Sequence, residues 1–207
     1  MQESRYAFEP FLSWGQRRCY KKHATVFCQG ELGKGFYYLH DGEIHIRLVS
    51  NKGDERIIDF VSPGELLGEQ GIKKEPYFTT ALVTKPSVLY FFSDEAFQRL
   101  CQEHTEAADL LINSLIQKQR YLAEIVSIQD NPVEQQLAYF LCKLFKKQQN
   151  ETIVINQTSL SLYAGTSRIT VYKILQQWEK NGIVTVSNRT IRIHHVEQLH
   201  AIMNAKN

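Results

Sequence analysis

The chain has 207 residues, 43% hydrophobic and 22% charged, which suits one large or two small globular domains and excludes a disordered or fibrous protein. No apolar run reaches the ~18 residues of a membrane span, and Met1–Arg5 lacks the basic-then-apolar start of an export signal, so a cytoplasmic location without a membrane partner is expected. The net charge of +2 hides an asymmetry: residues 131–207 hold nine Lys/Arg against four Asp/Glu, whereas residues 1–130 hold fifteen against eighteen, so the C-terminal part is suited to a polyanion.

Residues from about 20 to 92 read as strands. Val26-Phe27, Phe36–Leu39, Ile44–Val49, Arg56–Val61, Thr79–Val83 and Ser87–Phe92 are rich in β-branched and aromatic residues. Turn residues separate them at Gln29-Gly30-Glu31, Asp41-Gly42, Asn51–Asp54 and Pro63-Gly64. Short strands at this spacing predict a barrel or jelly roll. Four scattered cysteines, Cys19, Cys28, Cys101 and Cys142, form no Cys-x-x-Cys and are expected as free thiols; a redox pair of Cys19 and Cys28 is the weaker alternative.

Helical periodicity follows. Ser93 can cap a short helix whose first turn holds Asp94 and Glu95. A longer helix is expected over about Glu106–Gln129, with no Gly or Pro. One stripe is Ala108, Leu111, Leu115, Lys118, Leu122 and Ile125; a second is Ile112, Ile116, Ala123 and Val126. One stripe can cover the roll and the other a partner. Leu111, Leu115, Leu122 and Ile125 are assigned to a dimerisation seam, and burial of both stripes within one chain is the alternative. Asp130-Asn131-Pro132 ends this helix and opens another, Val133 to about Lys147, with Gln148–Asn150 as a polar loop. The expected division is residues 1–105, 106–130 and 131–207.

The most informative stretch is Ile155 to Leu175. It reads as a short helix with Leu160 and Tyr163 inward, a tight turn at Gly165, and a second helix capped by Ser167 or Thr166. Val171, Ile174, Leu175 and Trp178 form the second helix's buried stripe, leaving Arg168, Ile169, Tyr172 and Lys173 outside. A cationic N-terminal face suits the DNA major groove. Gly182–Val186, Ser187-Asn188-Arg189 and Thr190–Ile193 read as a two-stranded wing that could place Arg189 near phosphate. The DNA-contacting set is Ser167, Arg168, Ile169, Thr170, Tyr172, Lys173 and Arg189. A helical hairpin used only for packing is the blander alternative.

This segment resembles the DNA-binding domain of the Crp/Fnr family, the cyclic-AMP receptor protein and fumarate-nitrate-reduction regulators, which carry a similar Gly-x-Ser-Arg-x-x-Val-x-Arg-x-Leu run before a wing. Upstream, Gln29-Gly30, Phe36–Leu39, Gly42-Glu43-Ile44, Gly53–Arg56 and Pro63–Glu69 fall in family order, so the resemblance covers about residues 10–200. It implies an α+β chain: an N-terminal β-roll (a cyclic-nucleotide-binding-like jelly roll), a long dimerisation helix and a C-terminal winged helix-turn-helix. It also implies a homodimer on a two-fold-related operator, with RNA polymerase as a partner if the protein activates. The family reads bases with Arg, Glu and Arg; here Arg168 matches, but Ile169 stands for the Glu and Lys173 for the second Arg, so a different operator is expected.

In nucleotide-binding relatives a Gly-Glu after the Pro-Gly turn holds the ribose, and a later Arg-Ser/Thr-Ala holds the cyclic phosphate. Gly68 and Glu69 match the first; Thr79-Thr80-Ala81 matches the second with Thr79 in the Arg place. Losing an Arg–phosphate contact is costly. Three readings follow: another small effector, no diffusible effector, or a cyclic nucleotide with Arg120 supplying the charge. Cyclic AMP bound as in those relatives is not expected. No cofactor is expected, since the N-terminal cysteine cluster of an iron–sulfur sensor is absent and His40, Glu43 and His45 lack the spacing of a metal site. Without paired catalytic carboxylates, Gly-x-Ser-x-Gly or a phosphate loop, the chain is not expected to be an enzyme.

Overall fold

The computed structural model describes residues 6–148 and 150–205; the first five residues, read above for an export signal, and Gln149 of the polar loop lie outside it. The chain divides into two compact units between Leu122 and Ala123, inside its longest helix.

In the first unit, β1 (Gln16–Tyr20), β2 (Thr25–Phe27), β3 (Gly35–Val49), β4 (Glu55–Val61), β5 (Leu66–Leu67) and β6 (Thr80–Ser93) form an antiparallel sheet. Its order is β1-β6-β3-β4, with β2 also on β6 and β5 on β3. Period-two alternation divides the side chains of β3 between two cores. Tyr37, Leu39, Ile44 and Ile46 join Phe27, Val61, Leu67, Tyr77 and Val83 inside the roll. Phe36 and Tyr38 point the other way, onto Phe8, Phe11, Phe92, Leu100, Ala107 and Leu111. The last three belong to α1 (Asp94–Glu103) and α2 (Glu106–Ile128), so this second core seats the helices on the sheet. Ser93 caps α1 as expected, accepting from the Ala96 N–H.

Two sequence expectations change here. Asp41-Gly42 is not a turn: β3 runs through it, with register shifts between Leu39 and Ile44. The two strands expected at Thr79–Val83 and Ser87–Phe92 are likewise one strand, β6, continuous through Pro86. The irregularities face each other. Gly42 has φ of +104°, and a Cβ there would lie 2.1 Å from Ser87 Oγ. Such a bulge bends a paired strand without reversing it. β1 escaped the sequence reading because its residues are mostly polar; its place comes from pairing with β6 and from Arg18, whose guanidinium sits 3.9 Å above the Phe91 ring.

The second unit contains the end of α2, then α3 (Val133–Gln148), β7 (Thr152–Val154), α4 (Gln157–Ala164), α5 (Arg168–Lys180), β8 (Val184–Ser187), β9 (Thr190–Ile193) and α6 (Val196–Met203). The strands pair antiparallel in the order β7-β9-β8. The core holds Phe140 stacked on Tyr163 at 3.9 Å, with Leu160, Val171, Leu175 and Trp178 buried around it. The Trp178 indole N–H donates to Glu134 Oε1 at 2.8 Å, fastening α5 to α3. Gln136 of α3 donates to the carbonyls of Gln129 and Asn131, supplying partners at the end of α2.

Candidate DNA interface and sensory site

The helix-turn-helix is built from local signals that agree with one another. Asn156 caps α4 by accepting from the Ser159 N–H, and Gly165 takes the left-handed conformation (φ +60°) that ends it. Two residues later Ser167 caps α5, accepting from the Thr170 N–H, with the Ser167 and Thr170 hydroxyls 2.9 Å apart. Both hydroxyls therefore help to start the helix. Val171, Leu175 and Trp178 are buried and Ile174 half-buried, which leaves Arg168, Ile169, Tyr172 and Lys173 exposed as expected. Gln176 joins them, its side-chain N–H donating to the Tyr172 hydroxyl; the sequence reading missed it, although it lies one turn beyond Tyr172 on the same face.

The wing turn is Asn188-Arg189, both with positive φ (40° and 66°), closed by Thr190 Oγ1 donating to the Ser187 carbonyl. Arg189 is exposed at its tip. Glu179 of α5 accepts from the Val186 N–H at 2.7 Å and ties the wing to the helix. The sequence predicts two strands here; β7 adds a third by pairing Ile153 with Ile191.

In the roll, Gly68 ends β5 in a left-handed turn and hands the chain to Glu69. The Glu69 side chain is 2% exposed. Its partners come from α2: Lys118 Nζ donates to Oε1 and Oε2 at 2.6 Å, and Ser114 Oγ donates to Oε1 at 2.8 Å. Lys118 also reaches the Leu66 carbonyl at 2.8 Å. Thr79 is buried and accepts from Gln70 Nε2 at 2.8 Å, while Thr80 Oγ1 accepts from the Gln29 N–H. Arg120 is exposed; the cation that meets Glu69 is Lys118, two residues earlier. The sequence carried a signal for this: Lys118 is the one charged residue in an otherwise apolar stripe.

That contact resets the faces of α2. Ala107, Leu111, Ser114 and Lys118 face the first unit, and Leu111 is buried in its core, so of the expected seam Leu111 is already covered within its own chain. Ile125 is half-buried. The exposed apolar row is Ile112, Leu115, Leu122 and Val126, with Ile116 beside it and Gln119 in the middle. Its 3,4,3,4 spacing is that of a coiled-coil seam.

His40, Glu43 and His45, close in sequence, make separate contacts. Glu43 bonds Lys85 Nζ (2.8 Å) and Thr84 Oγ1 (2.8 Å), with His45 Nε2 3.4 Å away, and His40 is exposed. Burial alone would raise the Glu43 carboxyl; hydrogen bonds from His45 and Lys85, the Lys85 charge and Thr84 together lower it to about 2.

A β-roll of this topology with a winged helix-turn-helix in the same chain defines a DNA-binding transcription regulator carrying a cyclic-nucleotide-binding-type domain. The sequence profile of the cyclic nucleotide-binding domain matches residues 17–104, and that of the Crp-like helix-turn-helix domain matches residues 135–202. The cyclic AMP receptor protein of Thermus thermophilus is 28% identical over 196 residues, 92% of this chain and 89% of that protein. The transcriptional activator protein FnrA of Stutzerimonas stutzeri is 25% identical over 192 residues, 84% of this chain and 74% of that protein. The structure of FixK2 from Bradyrhizobium japonicum superposes with a TM-score of 0.81, covering 93% of this chain and 99% of the other at 16% identity. The chain belongs to the Crp/Fnr family of transcription regulators, and it is not an enzyme. Among the described residues no helix is long and apolar enough to cross a membrane.

Proposed function

We propose that this regulator works as a homodimer on a two-fold-related operator and does not take cyclic AMP in the manner of nucleotide-binding relatives. The observation that carries the second part is the engagement of Glu69 by Lys118 and Ser114. A ribose hydroxyl would have to displace an ammonium from a buried carboxylate, and the phosphate would meet Thr79, which has no charge and already bonds Gln70. Both halves of the expected nucleotide contact are thus satisfied within the chain. A different effector, or none, fits this arrangement better.

Dimerisation is supported by the exposed row on α2, since an apolar seam of this spacing is stable in water only when covered. Two copies would present two α5 helices to half-sites about one helical turn apart. Any effector would act by favouring one arrangement of the pair over another. α2 spans the division between the two units, so it is the element through which a change in the roll can reach the DNA-binding unit.

The test is calorimetric titration of the purified protein with cyclic AMP and cyclic GMP at physiological salt, beside operator binding without ligand. No heat at millimolar nucleotide and nanomolar operator binding are expected. Micromolar nucleotide binding would overturn the reading of Glu69 and Thr79.

A further inference from the structure

Charge and hydrogen bonding account for most of the α5 surface, but not for Ile169. Ile169, Lys173, Gln176 and Lys180 recur at 4,3,4 spacing and lie opposite the buried Val171, Leu175 and Trp178. Ile169 is 67% exposed and Tyr172, its neighbour three residues on, is 47% exposed. The Tyr172 ring is held from the following turn by the Gln176 amide. An apolar patch therefore sits in the first two turns, flanked by the cations Arg168 and Lys173.

An isoleucine side chain neither donates nor accepts a hydrogen bond, so it cannot read the polar edge of a base. The apolar feature of a base edge in the major groove is the thymine C5-methyl group. We propose that Ile169 reads a thymine methyl in each half-site, with Tyr172 beside it as a positioning residue kept in place by Gln176. This rests on the reading of α5 as the major-groove helix, which the flanking cations and the basic balance of residues 131–207 support.

The experiment begins by selecting sites for the full-length protein from random duplex DNA. Thymine is then replaced by uracil at each half-site position in turn, which removes the methyl and leaves base pairing unchanged. One position per half-site should lose affinity by on the order of 3- to 5-fold, the worth of one buried methyl. In Ile169→Ala that thymine/uracil ratio should fall to one, while melting temperature stays unchanged because the side chain is exposed. Tyr172→Phe, which keeps the ring and loses the Gln176 contact, should lower the ratio without abolishing it. Tolerance of uracil at every position, or an undiminished ratio in Ile169→Ala, would overturn the proposal. Failure to enrich any site would instead overturn the reading of α5 beneath it, and the proposal with it.

Discussion

Lys118 of α2 and Glu69 of the segment after β5, 49 residues apart in sequence, meet at 2.6 Å. The carboxylate is buried and the ammonium is about a third exposed, so the two residues differ in what their loss costs. Lys118→Met strands a buried charge and should destabilise the protein by roughly 2–4 kcal/mol, below the full cost of a dry pair because the site is partly wet. Glu69→Gln keeps a partner for Ser114 and should cost about 1–2 kcal/mol. Combining Lys118→Met with Glu69→Leu should recover most of the loss. With Glu69→Leu alone added to complete the cycle, urea midpoints for the parent, Lys118→Met, Glu69→Leu and the double variant give the coupling; additive losses would show that the pair contributes little.

Acid should weaken the roll through Glu43. Its carboxyl is lowered from 4.5 to about 2 in the folded chain, so its contribution is complete above pH 4.5 and disappears as pH falls toward 2. That contribution is on the order of 2 kcal/mol, reduced because Lys85 is half in water. Glu43→Gln should be less stable than the parent at pH 6, with the gap narrowing below pH 4.5 and closing only as pH reaches about 2. Denaturant midpoints across that range check it.

Leu115→Asp or Leu122→Asp places charge in the exposed row of α2 and should give a monomer by sedimentation, with operator affinity falling at least 100-fold. Leu111→Ala should act differently: its side chain belongs to the roll's second core, so about 2–4 kcal/mol of stability is lost.

Arg168 and Arg189 should separate by salt and sequence. Arg168→Ala should cost ~1–3 kcal/mol on the operator and relax preference at one base pair. Arg189→Gly suits the positive φ of the wing tip, so it removes the cationic side chain without straining the turn. It should weaken operator and random DNA alike and reduce the salt slope by about one. Fluorescence anisotropy at several salt concentrations distinguishes the two.

Thiol labelling should rank the cysteines by burial. Burial pushes the Cys142 thiol up to about 11, whereas Cys19 and Cys28 are exposed. At pH 8 the exposed pair should react within minutes and Cys142 only on unfolding. Rapid labelling of Cys142 in the native protein would show that the α3 core opens.

The sequence was most legible where local chemistry and tertiary packing agree. Asn156, Gly165 and Ser167 are cap and turn residues, and the exposed face of α5 follows directly from where its apolar residues fall. Legibility failed where a partner distant in sequence decides. β1 is a strand because β6 lies beside it, and Asp41-Gly42 bends rather than turns because Ser87 and Pro86 stand opposite. β7 and α6 are short and set by packing, and neither was expected. The faces of α2 show the same limit. Two apolar stripes were visible, but which one covers the roll depended on Glu69 claiming Lys118.

A counter-ion carried on the same chain is never diluted. Lys118 faces Glu69 at a fixed local concentration, for a tethered group typically millimolar or higher, whatever the cell's metabolite levels. A soluble molecule seeking that carboxylate competes against this standing occupant, and its apparent affinity is lowered in proportion to the fraction of time the carboxylate stands free. Such a molecule would need to bring contacts elsewhere in the roll, or the roll would remain indifferent to it.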